Sequence, residues 1–213
     1  MKKDDLAIIL KQIKVKDKII YRLIFNRGDK MNTLNPEMLD ALDIALDEIS
    51  ANKKTLALII ESTGPSFMAG GDITHFAKLV QQPKNKRLEL MKPMLDQAQG
   101  VVLKLASFSV PTISIVQGAA AGYGLSLVAL SDYVIALEGA KFLSAYLAIG
   151  LTPDGGALYT LKEILGVKKA KSLMLFNEAL TAKKAKDYGL VDYVASDYYS
   201  VESKIEQLVT KQK

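Results

Sequence analysis

The sequence predicts an α/β fold, in which strands and helices alternate along one chain. Short apolar runs at residues 55–61 and 112–116 are bounded by turn residues, as is typical of strands covered on both faces. Segments with apolar residues at helical spacing follow these runs. This alternation, without an obvious linker or fixed-period repeat, indicates an α/β protein rather than separate all-α and all-β parts.

The N-terminal third begins with a predicted hairpin. Residues 6–26 indicate two strands around a turn at 16–18, because every second residue from Ile19 to Phe25 is apolar. A helix is expected next. Asn35 is a favourable N-cap, and Pro36 suits the first helical position because it needs no backbone donor there.

The remainder of the chain continues the alternation. Helices are expected near residues 85–107, 124–130, 156–164, 167–176, 181–187 and 198–211, with strands near 132–136 and 191–194. Gly189 suits the C-terminal end of a helix, because glycine adopts the left-handed conformation common there.

The composition excludes several classes of site. The chain has 213 residues, which suggests one domain, and 49% hydrophobic with 24% charged residues is ordinary for a globular core. There is no cysteine, so disulfides and cysteine-based zinc sites are excluded. The single histidine, His75, argues against a Ser-His-Asp triad and against a histidine-rich metal site.

Neither a membrane span nor a nucleic-acid site is expected. The uncharged run between Lys104 and Asp132 is interrupted by serines, a proline and glycines, which favours a buried strand and helix. No apolar run follows the charged N-terminus, so we expect a cytoplasmic protein. The net charge is +5, but the lysine clusters at 168–171 and 183–186 have little aromatic interleaving and fall in predicted helices.

Two small-residue loops follow buried strands and lead into helices. They span 66–73 and 117–124. Neither has the Gly-Lys-Ser/Thr of a Walker loop, and the second lacks the acidic residue of a dinucleotide fingerprint. Free N–H groups at helix N-termini favour an oxyanion. Two such loops can direct two N–H donors at one carbonyl oxygen, as enolate formation from a thioester requires.

These loops resemble the two signature blocks of the crotonase (enoyl-CoA hydratase/isomerase) family. The first is the string from Ser66 to Ile73, and the second runs from Val110 to Gly124. Residues 149–156 match a third block, so the resemblance covers roughly residues 15–195. It implies a spiral of strand-strand-helix units over residues 1–195, followed by a short C-terminal helix at 196–213. It also implies an acyl-CoA substrate without a separate cofactor or metal, in a homotrimer or another homo-oligomer.

The resemblance also assigns site residues. Ala69 and Tyr123 fall where the family places its two oxyanion N–H donors. The positions implied to contact substrate are Gly70, Gly71, Asp72, Gly122 and Tyr146 beside the thioester path, and Lys30, Met31 and Thr33 near the adenine and phosphates.

The reaction is indicated by three further positions. Ser126 and Tyr146 stand where the family's hydratases carry two glutamates, and neither supplies a carboxylate near neutral pH. Asp154 stands where some isomerases of the family carry their base. An enoyl-CoA isomerase is therefore predicted, with Asp154 as its proton-transferring residue. Decarboxylation, thioester hydrolysis, hydration and a non-catalytic acyl-CoA binder remain alternatives, as does a helix-capping role for Asp154.

Overall fold

A computed structural model describes residues 6–210 and confirms the α/β class. The strands are β1 Ile8–Val15, β2 Lys18–Phe25, β3 Thr55–Ser62, β4 Thr112–Val116, β5 Ala119–Ala121, β6 Tyr133–Leu137, β7 Lys141–Leu143, β8 Leu180–Thr181 and β9 Tyr193–Ala195. The helices are α1 Pro36–Ala51, α2 Ile73–Val80, α3 Lys84–Ala106, α4 Tyr123–Leu130, α5 Ala157–Leu165, α6 Val167–Phe176, α7 Ala182–Asp187 and α8 Tyr198–Thr210. The parts of the predictions that concern residues 1–5 and 211–213 lie outside the described residues.

The main sheet has six strands in the order β1-β2-β3-β4-β6-β9. Only the predicted hairpin β1–β2 is antiparallel, and every later pair is parallel. Parallel neighbours need crossover connections, which the helices between these strands provide. The predicted N-cap is confirmed, since the Asn35 side chain accepts a hydrogen bond from the Met38 N–H at 2.9 Å.

Both faces of this sheet are covered, which explains the continuous apolar runs. One face contributes to the large core that includes Leu42, Leu46 and Leu58. The other face packs against α8 through residues such as Val201 and Ile205. The uncharged run after Lys104 supplies β4, β5 and α4, and none of the helices in residues 6–210 is long and apolar enough to cross a membrane.

A second, three-stranded sheet was not expected from the sequence. It has the order β5-β7-β8, and its strands are only two or three residues long. Strands this short show no alternating pattern that could be recognised. The sheet matters because β5 lies inside the second small-residue loop and fixes its path.

Gly118 lies where the two small-residue loops meet, and we expect its substitution to be costly. It has φ of 55°, and a Cβ there would lie 1.9 Å from the Pro65 carbonyl oxygen. Gly118→Ala should therefore lower the free energy of unfolding by about 3 kcal/mol or more, at the upper end of the usual range. Gly139→Ala is the matched control, since a Cβ at Gly139 meets nothing within 4 Å. Thermal unfolding compares the two variants, and equal stabilities would contradict this account of the loop junction.

Candidate active site

A cavity opens where the two small-residue loops meet α2 and α3. Its volume is about 260 Å³, close to the lower end of ligand pockets, which span roughly 300–1,000 Å³. The lining is mostly apolar, with Leu34, Leu39, Phe76, Met94, Leu95, Leu143, Ile149 and Leu151 among its side chains. The backbone of both loops and the side chains of Asn35, Tyr146, Asp154 and Asn177 supply the polar groups. The cavity therefore suits an apolar chain that ends in a polar reacting group.

Backbone hydrogen bonds join the two loops into one unit. The Phe67 N–H donates to the Gln117 carbonyl at 2.8 Å, and Met68 and Ala120 form a parallel bridge. Gly70, at φ of 82°, lies so close to the second loop that a Cβ on it would be 3.2 Å from the Ala121 carbonyl oxygen. The loops are thus held rigidly, and their free N–H groups keep fixed directions.

The geometry corrects the predicted donor in the first loop. The Ala69 N–H already donates to the Met31 carbonyl at 3.0 Å, so it is not free for a ligand. On either side of Gly71, the Gly70 carbonyl accepts from Leu34 and the Asp72 N–H donates to Leu34. Because the C=O and N–H of one trans peptide group point in opposite directions, and the Gly70 carbonyl faces the Leu34 N–H, the Gly71 N–H faces away from Leu34. It has no acceptor within residues 6–210, and Gly71 lines the cavity.

The second loop presents the N–H of Tyr123 at the cavity. Tyr123 is the first residue of α4, so its N–H has no partner inside the helix, and it lines the cavity. Gly122 precedes it at φ of 52°, which few other residues adopt readily. The proton of the Tyr123 hydroxyl is already engaged, because it is donated to the Ala98 carbonyl of α3 at 2.8 Å.

The turn before α1 is tied to the first loop. Asp72 caps α2 by accepting from the Thr74 N–H at 3.0 Å, and it forms an ion pair with Arg27 at 3.2 Å. The hydrogen bond from the Thr74 hydroxyl, followed by that from Arg27, lowers the pKa of Asp72. Asp72 therefore serves as a negatively charged structural residue that joins the turn before α1 to the first loop.

The predicted adenine and phosphate region lies on the outer side of this turn. Buried Asn32 holds it by donating to the carbonyls of Thr63 and Ser66, each at 2.8 Å. Lys30 and Met31 are exposed, and the Thr33 hydroxyl donates to the Lys30 carbonyl at 3.0 Å. None of these three side chains lines the cavity, so any contact with substrate would be made outside it.

Tyr146 and Asp154 line the cavity, and the fully buried Ser126 lies against both of them. The Tyr146 hydroxyl donates to Asp154 Oδ1 at 2.7 Å, and it lies 3.1 Å from Ser126 Oγ. Gly155, at φ of 59°, allows this approach, since a Cβ there would be 2.7 Å from the Ser126 Cβ. Where the family's hydratases carry two glutamates, this site has two hydroxyls and one neighbouring carboxylate.

The environment of Asp154 makes its carboxyl group a weaker acid than usual, and its carboxylate therefore a better proton acceptor. Desolvation by the surrounding protein raises its pKa, and the Tyr146 hydrogen bond opposes that rise. The side chain nevertheless stays accessible, because it faces the open cavity. Burial, together with the Asp154 charge, raises the pKa of Tyr146, so the phenol remains a neutral donor.

A strained residue precedes Tyr146, and sequence inspection missed it. Ala145 has φ of 59°, a conformation that costs an L-residue about 1–2 kcal/mol. Its N–H donates to Asn177 Oδ1 at 2.7 Å, and Asn177 is itself the left-handed C-cap of α6. An asparagine after a helix was a visible signal of that cap, but its contact with Ala145 depends on tertiary structure.

Most of the chain is similar in sequence to known proteins of one family. The sequence model described as enoyl-CoA hydratase/isomerase matches residues 16–212. One relative is the Bacillus subtilis protein YhaR, whose name describes an enoyl-CoA hydratase/isomerase. It is 37% identical over 173 residues, which cover 81% of this chain and 65% of that protein. The trans-2-decenoyl-[acyl-carrier-protein] isomerase of Streptococcus mutans is 26% identical over 197 residues, covering 92% of this chain and 73% of the relative. The chain thus spans about two thirds to three quarters of the length of these relatives.

Solved structures share the fold. A crystal structure of an enoyl-CoA hydratase from Polaromonas sp. JS666 superposes with a TM-score of 0.84 at 26% identity, covering 95% of this chain and 77% of that one. The enoyl-CoA hydratase structure from Bacillus anthracis gives a TM-score of 0.85 at 24% identity, covering 97% and 76%, which supports the fold alone. The predicted spiral architecture is confirmed by these neighbours.

Proposed function

The chain belongs to the enoyl-CoA hydratase/isomerase family, and from that premise we propose that it is an enoyl-CoA isomerase that moves a double bond into conjugation with a thioester. The observation that carries the proposal is a single accessible carboxylate, Asp154, on a cavity that also presents two unpaired backbone N–H groups. The substrate is an acyl-CoA ester, and no further cofactor takes part. Across residues 6–210, no cluster of three side chains suited to a metal ion is found.

The thioester oxygen is proposed to lie between the N–H groups of Gly71 and Tyr123. Gly71 replaces Ala69 in this role, because the Ala69 N–H is engaged by Met31. Negative charge develops on that oxygen when the thioester becomes a dienolate, and two fixed donors stabilise the charge without reorganising. The position of Tyr123 at the start of α4 adds the partial positive charge of a helix N-terminus.

The proton transfer is assigned to Asp154. A 3-enoyl-CoA carries a proton on the carbon between the thioester and the double bond. This proton can be removed because the electrons of its C–H bond pass into the stabilised dienolate. Asp154 takes that proton and returns it to the far carbon of the former double bond. One carboxylate suffices for both steps, which matches the absence of a second carboxylate among the residues lining the cavity.

Hydration of 2-enoyl-CoA should be slow by comparison. A hydratase must hold and activate water, but Ser126 and Tyr146 bond to each other at 3.1 Å where the family's hydratases carry their glutamates. We therefore expect crotonyl-CoA hydration well below ordinary enzyme rates of about 1–10³ s⁻¹. Loss of absorbance of the conjugated thioester measures hydration directly. Turnover within the ordinary range would mean that the hydroxyl pair does not exclude water chemistry.

The isomerase proposal itself is tested by supplying 3-enoyl-CoA esters of short and long chains to purified protein. Appearance of the conjugated 2-enoyl product supports it. If no ester is converted, the chain is better explained as an acyl-CoA binder, and if free CoA is released, as a thioester hydrolase of the family.

A further inference from the structure

We propose that Tyr146 is a positioning residue of this site: its hydroxyl orients the Asp154 carboxylate and keeps it in the ionised, proton-accepting form. The inference rests on the proposed function, because it gives Tyr146 a task in that reaction. It goes further by assigning a purpose to a buried phenol that does not itself move the proton.

The hydrogen bond between Tyr146 and Asp154 has a defined direction. An ionised carboxylate can only accept, so the Tyr146 hydroxyl donates its proton to Asp154 Oδ1 at 2.7 Å. The Tyr146 oxygen can then accept from the Ser126 hydroxyl, whose one proton has three acceptors within reach: the Tyr146 oxygen at 3.1 Å, the Asp154 carbonyl at 3.2 Å and the Gly122 carbonyl at 3.4 Å. Ser126 is fully buried, and Tyr146 is only 6% exposed. The two hydroxyls are thus shielded from water, which strengthens the bond that Tyr146 donates to the accessible carboxylate.

The ionised form of Asp154 is not stabilised by an ion pair with a described residue. No lysine or arginine within residues 6–210 forms an ion pair with Asp154. The titratable groups that face it are two phenols, Tyr146 from the segment after β7 and Tyr123 from α4. Burial raises the pKa of both phenols, and so does the Asp154 charge, so both stay neutral. The Tyr146 hydroxyl is thus the side-chain donor that favours the charged form of Asp154.

Tyr146 is held in place by a strained backbone residue that directly precedes it. Ala145, immediately before it, holds φ of 59°, and Asn177 clamps its N–H at 2.7 Å. Strain of this kind persists where the surroundings over-determine a conformation, and it is commonly found at functional sites. A phenol that merely filled space would not need so defined a position for its oxygen.

The test is the removal of one oxygen atom. In Tyr146→Phe the ring stays and the donor is lost, so the charged form of Asp154 loses stabilisation and its pKa rises further. The proton-accepting form predominates only above that pKa. The pH below which kcat/KM declines should therefore be higher in the variant than in the wild type. On the acidic side, the loss should be roughly tenfold or more, as expected for a hydrogen bond to a charged group. At alkaline pH the variant and the wild type should differ only by the smaller, pH-independent loss that comes from a less well oriented carboxylate.

Two further variants make the result decisive. Ser126→Ala removes the bond one step behind Tyr146 and should move the acidic fall in the same direction by less. Tyr199→Phe, at an 84% exposed position on α8, should leave the profile unchanged. A uniform loss at every pH in Tyr146→Phe, or an unchanged profile, would overturn the proposal.

A carboxyl ¹³C NMR titration of Asp154 provides a readout that does not need turnover. The Asp154 midpoint should be higher in Tyr146→Phe than in the wild type, and equal midpoints would refute the assignment. If the wild type shifts no double bond, the proposed function fails, while this titration still decides the role of Tyr146.

Discussion

Replacing Tyr123 by proline is expected to lower isomerase turnover by about 10²–10³-fold, the usual cost of losing one oxyanion donor. Proline has no N–H, and it is well tolerated at the first position of a helix, which Tyr123 occupies in α4. The substitution therefore removes the proposed donor where the backbone can accept the ring.

The matched control is Tyr123→Ala. Both variants lose the phenol and its 2.8 Å hydrogen bond to the Ala98 carbonyl, but only the proline variant loses the N–H. The ratio of their kcat values therefore isolates the donor. Circular dichroism and thermal unfolding establish that both variants are folded. Equal kcat values in two folded variants would show that this N–H does not stabilise the transition state.

Asp154→Asn is expected to reduce turnover by about 10²–10⁴-fold, the range for loss of a general base. Asparagine keeps the shape and can still accept a hydrogen bond from Tyr146, so affinity for CoA esters should hardly change. Loss in kcat with little change in binding is the pattern of a group that acts in the transition state. Steady-state kinetics together with calorimetric binding of a saturated acyl-CoA separates the two quantities.

The same variant should be slightly more stable than the wild type near neutral pH. Desolvation raises the pKa of Asp154 in the folded protein. A carboxyl whose folded pKa exceeds its unfolded value is destabilising when ionised, and the penalty disappears as pH falls below the unfolded pKa. The stability difference between Asp154→Asn and wild type should therefore shrink in acid. A variant less stable at neutral pH would indicate that Asp154 serves chiefly as a structural cap.

Much of the fold was predictable because its signals are local. The hairpin turn, the Asn35 N-cap and the buried strands at 55–61 and 112–116 each depend on a few adjacent residues. The β5-β7-β8 sheet was not predictable, since strands of two or three residues carry no periodicity. Its pairing is decided by contacts between loops.

The candidate site divides in the same way. Sequence blocks located both loops and Asp154, but they could not identify the free donor of the first loop. That depends on φ of 82° at Gly70 and on the Met31 carbonyl, which occupies the Ala69 N–H. The bonds from Tyr146 to Asp154 and from Ala145 to Asn177 join residues 8 and 32 positions apart. Such geometry arises only when the chain is folded.

The most direct test is to incubate purified wild-type protein with a 3-enoyl-CoA and identify the product by NMR and mass spectrometry. We expect 2-enoyl-CoA of unchanged mass, with little 3-hydroxyacyl-CoA. Asp154→Asn, measured alongside, should give almost none of it. A product heavier by one water, or equal conversion by both proteins, would contradict the assignment of a single-carboxylate isomerase.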